Sequence, residues 1–247
     1  MNKITQNIRK FENVGKRILI TMIFAVVYLF GTYIVIPGVD PSYLTGLAQQ
    51  TNGGLMALLD MFSGGAFSNA SIFALGIMPY IFALFIIRLA TMVVPSFRKM
   101  KKDGEGGRKK INRVVRFLTI VILAVQGFAY ISNLKIQMML AGAPLPAGWW
   151  FIALSITTMV AGSMFILWMG ERITEKGIGN GFVFIIMLGI ITHLPKMLFQ
   201  EFGTRLNEQG GGLAMFFAEI LFLLFVITGS ILTTHMIAGK SPKINHI

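Results

Sequence analysis

The sequence predicts an all-α protein, a polytopic transmembrane helical bundle, and three observations carry that prediction. Hydrophobic residues make up 55% of the 247 and charged residues only 13%, whereas soluble domains are about 25% charged. The apolar residues gather into long runs, and a run of about 20 is what a helix needs to cross roughly 30 Å of hydrocarbon. Lysine and arginine, finally, fall overwhelmingly on one side of those runs.

The runs place six spans at 18–36, 72–94, 117–131, 149–169, 182–197 and 213–234. Of the 22 Lys and Arg, five precede the first span, nine lie between the second and third (Arg98 to Arg116), two between the fourth and fifth (Arg172, Lys176) and two after the sixth (Lys240, Lys243). The opposite side receives Lys135, Lys196 and Arg205, and Arg88 sits within a span. Eighteen against three, in short loops, sets the N-terminus and the even-numbered loops in the cytosol. The net charge of +12 therefore reports topology rather than nucleic-acid binding. The first run is long enough to span and is followed by Pro37-Gly38 and further spans, which predicts a retained helix rather than a cleaved signal peptide.

Taken in order, residues 1–17 form a cytosolic N-terminus in which Ile4, Ile8, Phe11 and Val14 recur at helical spacing. They fit an amphipathic segment on the inner membrane surface, or a solvated start to the first helix. Residues 37–70 form an outside segment without Lys or Arg. Within it, 53–59 is an apolar helical stretch, interrupted by Asp60 and Ser63-Gly64-Gly65 and too short to span. Such a helix lies flat on the outer leaflet or folds inward, where protein or water rather than lipid meets its backbone ends. Gly76 and Pro79 predict a bend near the middle of the second span. Arg88 and Glu219 are intramembrane charges near enough to their ends to snorkel. The Lys/Arg/Gly-rich loop 96–116 predicts a topological anchor on anionic headgroups. The alternating glycines of 170–181 imitate a phosphate loop superficially, but no strand precedes them and no Lys-Ser/Thr follows.

Enzymatic chemistry finds no purchase. The absence of cysteine excludes a disulfide, a thiolate zinc site and a cysteine nucleophile, and His193, His235 and His246 have no partners at metal-binding helical spacing. The spans hold no paired aspartates, Ser/His pair or HExxH motif, and Arg88 with Glu219 is a sparse set for an ion-coupled transporter. No metal and no cofactor is expected.

Residues 60–81, running Asp-Met-Phe-Ser-Gly-Gly-Ala-Phe-Ser-Asn-Ala-Ser-Ile-Phe-Ala-Leu-Gly-Ile-Met-Pro-Tyr-Ile, closely resemble the plug and second helix of the SecY family, the central subunits of the bacterial Sec protein-conducting channel. Ile36-Pro37-Gly38-Val39-Asp40 looks like the end of that family's first helix. Residues 101–110 are similar to its cytosolic loop, and 170–181, with Gly177-Ile178-Gly179-Asn180-Gly181, resembles its fourth-to-fifth helix connection. The blocks stand in family order and spacing over about residues 10–200.

The resemblance implies a SecY-type N-terminal half of five helices over 18–200, with a re-entrant plug at about 53–70. An outer loop and sixth helix follow over 201–234, and a divergent tail over 235–247. It assigns Leu55, Met61, Phe62, Gly64, Gly65, Phe67 and Asn69 to the plug. Ile77, Ile81, Phe182 and Ile186 fall to an apolar pore ring, with Phe182 standing where the family usually has an aliphatic residue. Ser71, Pro79 and Arg88 go to a lateral gate, Arg88 replacing an uncharged polar residue. Lys101, Lys102, Arg108, Lys109, Lys110 and Asn180 go to cytosolic partner contact. The implied function is a hydrolysis-free conduit in the bacterial inner membrane for unfolded secretory chains, with a sideways exit for membrane helices. Its implied partners are SecE, SecG, the SecA motor ATPase, the ribosome, signal peptides, translocating chains and membrane lipids, with no nucleic acid bound directly. The alternatives are a small-molecule transporter and an insertase-like helper on the same scaffold. The family has ten helices in two pseudosymmetric halves, and the match fades after about Thr234, so the second gate helix and the other half of the ring are expected from elsewhere, the chain being cut short or completed by another.

Overall fold

The computed structural model describes residues 3–44, 54–146 and 148–207, with the single helical positions Leu221 and Thr228. The chain divides after His193 into two units. Of the second, only the end of one helix and those two positions are described, so the rest of the predicted sixth span with Glu219, and the tail 235–247, lie outside the described residues.

Seven α-helices are present among the described residues: α1 (Lys3–Gly31), α2 (Gly54–Ser63), α3 (Met78–Val93), α4 (Pro95–Lys102), α5 (Gly104–Leu140), α6 (Trp149–Lys176) and α7 (Gly181–Asn207). Val14–Gly31 within α1, α5 and α6 are long and apolar enough to cross a membrane; α3 and α4 add a fourth span if that bent pair is one, and α7 contributes a shorter apolar stretch, Gly181–His193. The chain is an all-helical, polytopic membrane protein.

The first span stops earlier than predicted. α1 ends at Gly31, and the chain beyond it turns to pair with 70–72, Ile36 N–H donating to the Ala70 carbonyl and Ile72 N–H to that of Ile34, both at 2.9 Å. Asp40 then caps the short turn Pro41–Tyr43. The Ser42 hydroxyl and N–H that donate to its carboxylate hold Asp40 below the ordinary carboxylate range.

The second span needs a larger correction, because 64–77 is a succession of turns and the helix begins only at Met78. Gly64, Gly65, Ala70 and Gly76 have φ of 69°, 83°, 45° and 56°, which no right-handed helix can accommodate. Pro79 does not bend a helix at mid-length. It lies in the first turn of α3, where its missing N–H has no partner to lose. The sharp bend comes instead at Pro95, α3 and α4 meeting at 99°. Val94, the residue before that proline, is extended (φ −92°, ψ 118°), as the clash with the proline ring demands.

The basic segment 96–116 is likewise a correction. It is no loop but two helices at a tight junction, with Lys99, Lys101 and Lys102 in the last turn of α4, where cations complement the helix dipole.

Two apolar cores take up the side chains of the 64–77 turns. One packs Ile36, Phe67 and Ala74 against Tyr130, Leu134 and Met159. The other packs Tyr28, Ala66 and Phe73 against Ile166, Met169 and Ile185. The outward faces are also apolar, Phe30, Phe85 and Phe117 being 71%, 60% and 69% exposed, as expected where the solvent is lipid.

Candidate functional site

The segment after α2 is closed by its own polar groups. Ser63 Oγ donates to the Asp60 carbonyl at 3.0 Å and accepts from Phe67 N–H at 3.1 Å. Asp60 Oδ1 accepts from Ser68 N–H at 2.8 Å. These bonds take up backbone groups that a turn buried among helices cannot leave to water. Two helices then grip the turn with phenols: Tyr28 of α1 donates to the Ser63 carbonyl at 3.1 Å, and Tyr130 of α5 to that of Phe67 at 2.7 Å. Asn69 adds a longer bond, its amide to the Thr32 carbonyl at 3.4 Å. From α7, Gly189 backs onto Phe62 and Gly64, and His193 Nε2 lies 4.0 Å from Asp60 Oδ2.

Of the residues assigned to the plug, Leu55 lies in α2 with its side chain outside the described residues. Met61 and Phe62 are half-buried. Gly64 and Gly65 supply the left-handed turn, and Phe67 is buried edge-on to the Tyr130 ring, centroids 4.9 Å apart.

Ile77, Ile81, Phe182 and Ile186 are brought together in a single apolar cluster that also holds Ala66 of the turn. Ile77 caps α3 rather than lying within it, but Ile81 N–H bonds its carbonyl at 3.3 Å, so the two still stack at i, i+4. Phe182 and Ile186 are half-buried in the first turns of α7, on either side of the fully buried Ile185. The Phe182 ring lies 5.0 Å from that of Tyr80 and against Gly170 of α6.

Ser71, Pro79 and Arg88 are strung out rather than gathered. Ser71 is buried and accepts from Phe73 N–H at 3.0 Å, Pro79 is buried, and Arg88 is exposed about 13 Å further along α3. None of the three lines the cleft of about 520 Å³ that is bounded by Leu59 and Phe62, by Met78 and Phe82, and by Gln126, Asn133 and Gln137 of α5. Gln137 Nε2 donates to Asn133 Oδ1 at 2.6 Å, and its Oε1 is buried without a partner. Those amides recur at i, i+7 and i+11, one helical face, a spacing from which the sequence could have flagged them.

At the α4–α5 junction, Lys101, Lys102, Arg108, Lys109 and Lys110 are exposed. Asn180 is exposed too, but its Oδ1 accepts from Phe182 N–H at 3.0 Å, which makes it the cap of α7. Gly177 and Gly181 on either side serve close approach, while Gly179 turns the chain with φ of 69°. Thr21 of α1 accepts from Ile178 N–H at 3.1 Å, and Thr174 of α6 from Gly181 N–H at 2.8 Å. A Cβ on Gly181 would collide with the Gly170 carbonyl. The described residues hold no cluster of three His, Cys, Asp or Glu that could bind a metal.

A polytopic helical bundle with a short helix whose C-terminal turn is held over a buried apolar cluster is the class these features define. Comparison makes it particular. The SecY family model matches residues 71–238, more than half of the chain. The chain is 36% identical over 219 residues to the protein translocase subunit SecY of Buchnera aphidicola subsp. Baizongia pistaciae, an alignment covering 89% of this chain and 49% of that protein. It is 42% identical to the Pseudomonas aeruginosa subunit of the same name (72% of this chain, 39% of that one) and 42% identical to the Escherichia coli K12 subunit (74% and 41%). This chain belongs to the SecY family. It spans half or less of the length of these relatives.

Proposed function

We propose that the chain forms the N-terminal half of a protein-conducting channel, a hydrolysis-free conduit for unfolded secretory chains with a sideways exit for membrane helices. The observation that carries this is the convergence of Ile77, Ile81, Phe182 and Ile186 on one apolar cluster with the 63–69 turn seated against it. In a channel, such residues make half of a gasket. They close around a passing chain by contact, and they exclude water and ions when empty. The turn with α2 is then the plug, and the cleft beside α3 and α5 is where a second half, or a guest helix, meets the first. Family membership supports the same function, since the similar proteins are translocase subunits by name.

The proposed cytosolic partners rest on the family resemblance together with the charge. The α4–α5 junction presents Lys101, Lys102, Arg108, Lys109 and Lys110 on the side that the positive-inside distribution sets in the cytosol, suited to SecA or the ribosome and to anionic lipid. SecE and SecG complete the complex, and the bacterial inner membrane is its site.

The experiment is polar replacement at the ring. In a complete channel, Ile81→Asn and Ile186→Asn are expected to leave the folded yield nearly intact and to add an ion leak. In an ordinary packed core the buried amide would cost about 1–3 kcal/mol and chiefly lower the yield. Low yield with no added leak would place the pore elsewhere.

A further inference from the structure

We propose that Asp60 and His193 form a charge-dependent latch that positions the 60–70 turn on α7 and tightens when the imidazole is protonated. This rests on the plug assignment above for its role in gating, but not for the contact itself. Asp60 divides its carboxylate: Oδ1 accepts Ser68 N–H at 2.8 Å and so shapes the turn, while Oδ2 faces His193 Nε2 at 4.0 Å. Both side chains are largely removed from solvent, 13% and 19% exposed. A separation of 4.0 Å is too long for a hydrogen bond to a neutral ring. For an imidazolium it is a strong attraction, because charges this close and this shielded from water are little screened. Room for the ring exists because position 65 is glycine: a Cβ there would stand 3.3 Å from His193 Nε2.

Among the described residues, the titratable side chains that hydrogen-bond the turn from other helices are Tyr28 of α1 and Tyr130 of α5, phenols that are neutral in the range where imidazoles titrate. They hold the turn to α1 and α5 whatever the charge on the imidazole, whereas the grip of α7 depends on that charge. The latch binds the protonated ring, so its contribution is present when His193 carries the proton and is lost when it does not. The topology sets this turn outside the cytosol, so its grip would follow external acidity.

The test is amide hydrogen exchange of 65–70 in the complete channel in nanodiscs, corrected for the intrinsic pH dependence of exchange. Wild type is expected to be about tenfold better protected near pH 5.5 than near pH 8, the size of one charge-assisted contact. His193→Gln, a neutral stand-in, should be flat at the lower level, and His193→Lys, charged throughout, flat at the higher one. Asp60→Asn keeps an acceptor for Ser68 and should be flat at the lower level, a check that introduces no new cation. Wild-type pH dependence surviving in His193→Gln or Asp60→Asn, or protection in His193→Lys no higher than in His193→Gln, would overturn the latch. Conductance separates this from the channel assignment. A channel that ignores Ile81→Asn loses the ring and plug, while the exchange result still decides the contact.

Discussion

Gly64 and Gly189 meet backbone to backbone: a Cβ built on Gly64 would lie 3.2 Å from the Gly189 Cα, and one built on Gly189 would lie 2.7 Å from the Phe62 carbonyl oxygen. A glycine in the interior of α7 should by propensity be improved by alanine, by about 0.5–1 kcal/mol. Here the sign reverses, since the methyl would have to displace backbone. Gly189→Ala is expected to destabilise the protein by about 1–3 kcal/mol, as overpacking does, read as lost thermal stability in detergent. Unchanged or improved stability would mean the turn does not rest on α7.

The two phenols make a second, independent hold. Tyr28→Phe and Tyr130→Phe each remove one hydrogen bond to a carbonyl, and the Ser63 and Phe67 carbonyls keep turn bonds from Ala66 and Ala70 at 3.4 and 3.3 Å. The cost of each should therefore be about 0.5–1.5 kcal/mol rather than that of an abandoned buried group. The bonds come from different helices to different carbonyls, so the double variant should lose roughly the sum. Faster amide exchange over 63–70, with the far end of α5 unaffected, is the expected signature.

How far the fold could be read from residues depended on what set each element. Composition and the long apolar runs gave the membrane class, because lipid imposes long apolar helices on any chain. The apolar stretch 53–59 pointed to the short helix, and the family resemblance pointed to Ile77, Ile81, Phe182 and Ile186, which share one apolar cluster. The sequence did not announce that 64–77 is a chain of turns, because that depends on four positive φ values and on a pairing with 34–36, and apolar residues such as Phe73 and Ala74 suit a span as well as a turn buried in protein. Nor did it single out Tyr28, Tyr130 or His193. An isolated phenol or imidazole in an apolar run carries no periodic signal, and its partner is distant in sequence. Gly170, Gly177 and Gly181, in the run that mimics a phosphate loop, turn out to be where α1, α6 and α7 approach closely.

Charge reversal tests the proposed cytosolic face and its partners. Arg108, Lys109 and Lys110 are exposed, so replacing all three with glutamate should move stability little, about 0.5 kcal/mol per site or less. Binding of the motor ATPase or ribosome by the complete channel should weaken clearly at low salt and less at high salt, where the attraction is already screened. Partner binding that is unchanged while affinity for anionic vesicles falls would make this surface a lipid anchor alone.

Adjacent glycines at the start of α5 should respond in opposite directions. The run Gly104-Glu105-Gly106-Gly107 reads as a flexible loop, yet all four residues lie in the helix. At Gly106 a Cβ would meet nothing within 4 Å, so Gly106→Ala removes only the entropy that glycine loses on folding and should stabilise by up to about 1 kcal/mol. At Gly107 the Cβ would collide with the Met100 carbonyl of α4 and stand 3.1 Å from the Asp103 side chain. Gly107→Ala must therefore push α4 off α5, disturbing the crossing that aims the basic residues. It should cost about 1–3 kcal/mol and weaken partner binding along with stability. Thermal stability of the two variants, measured side by side, decides the matter. If both alanines stabilise, the junction is the loose loop its composition suggests; if only the first does, the basic face is a rigid helical corner, held by one missing methyl group.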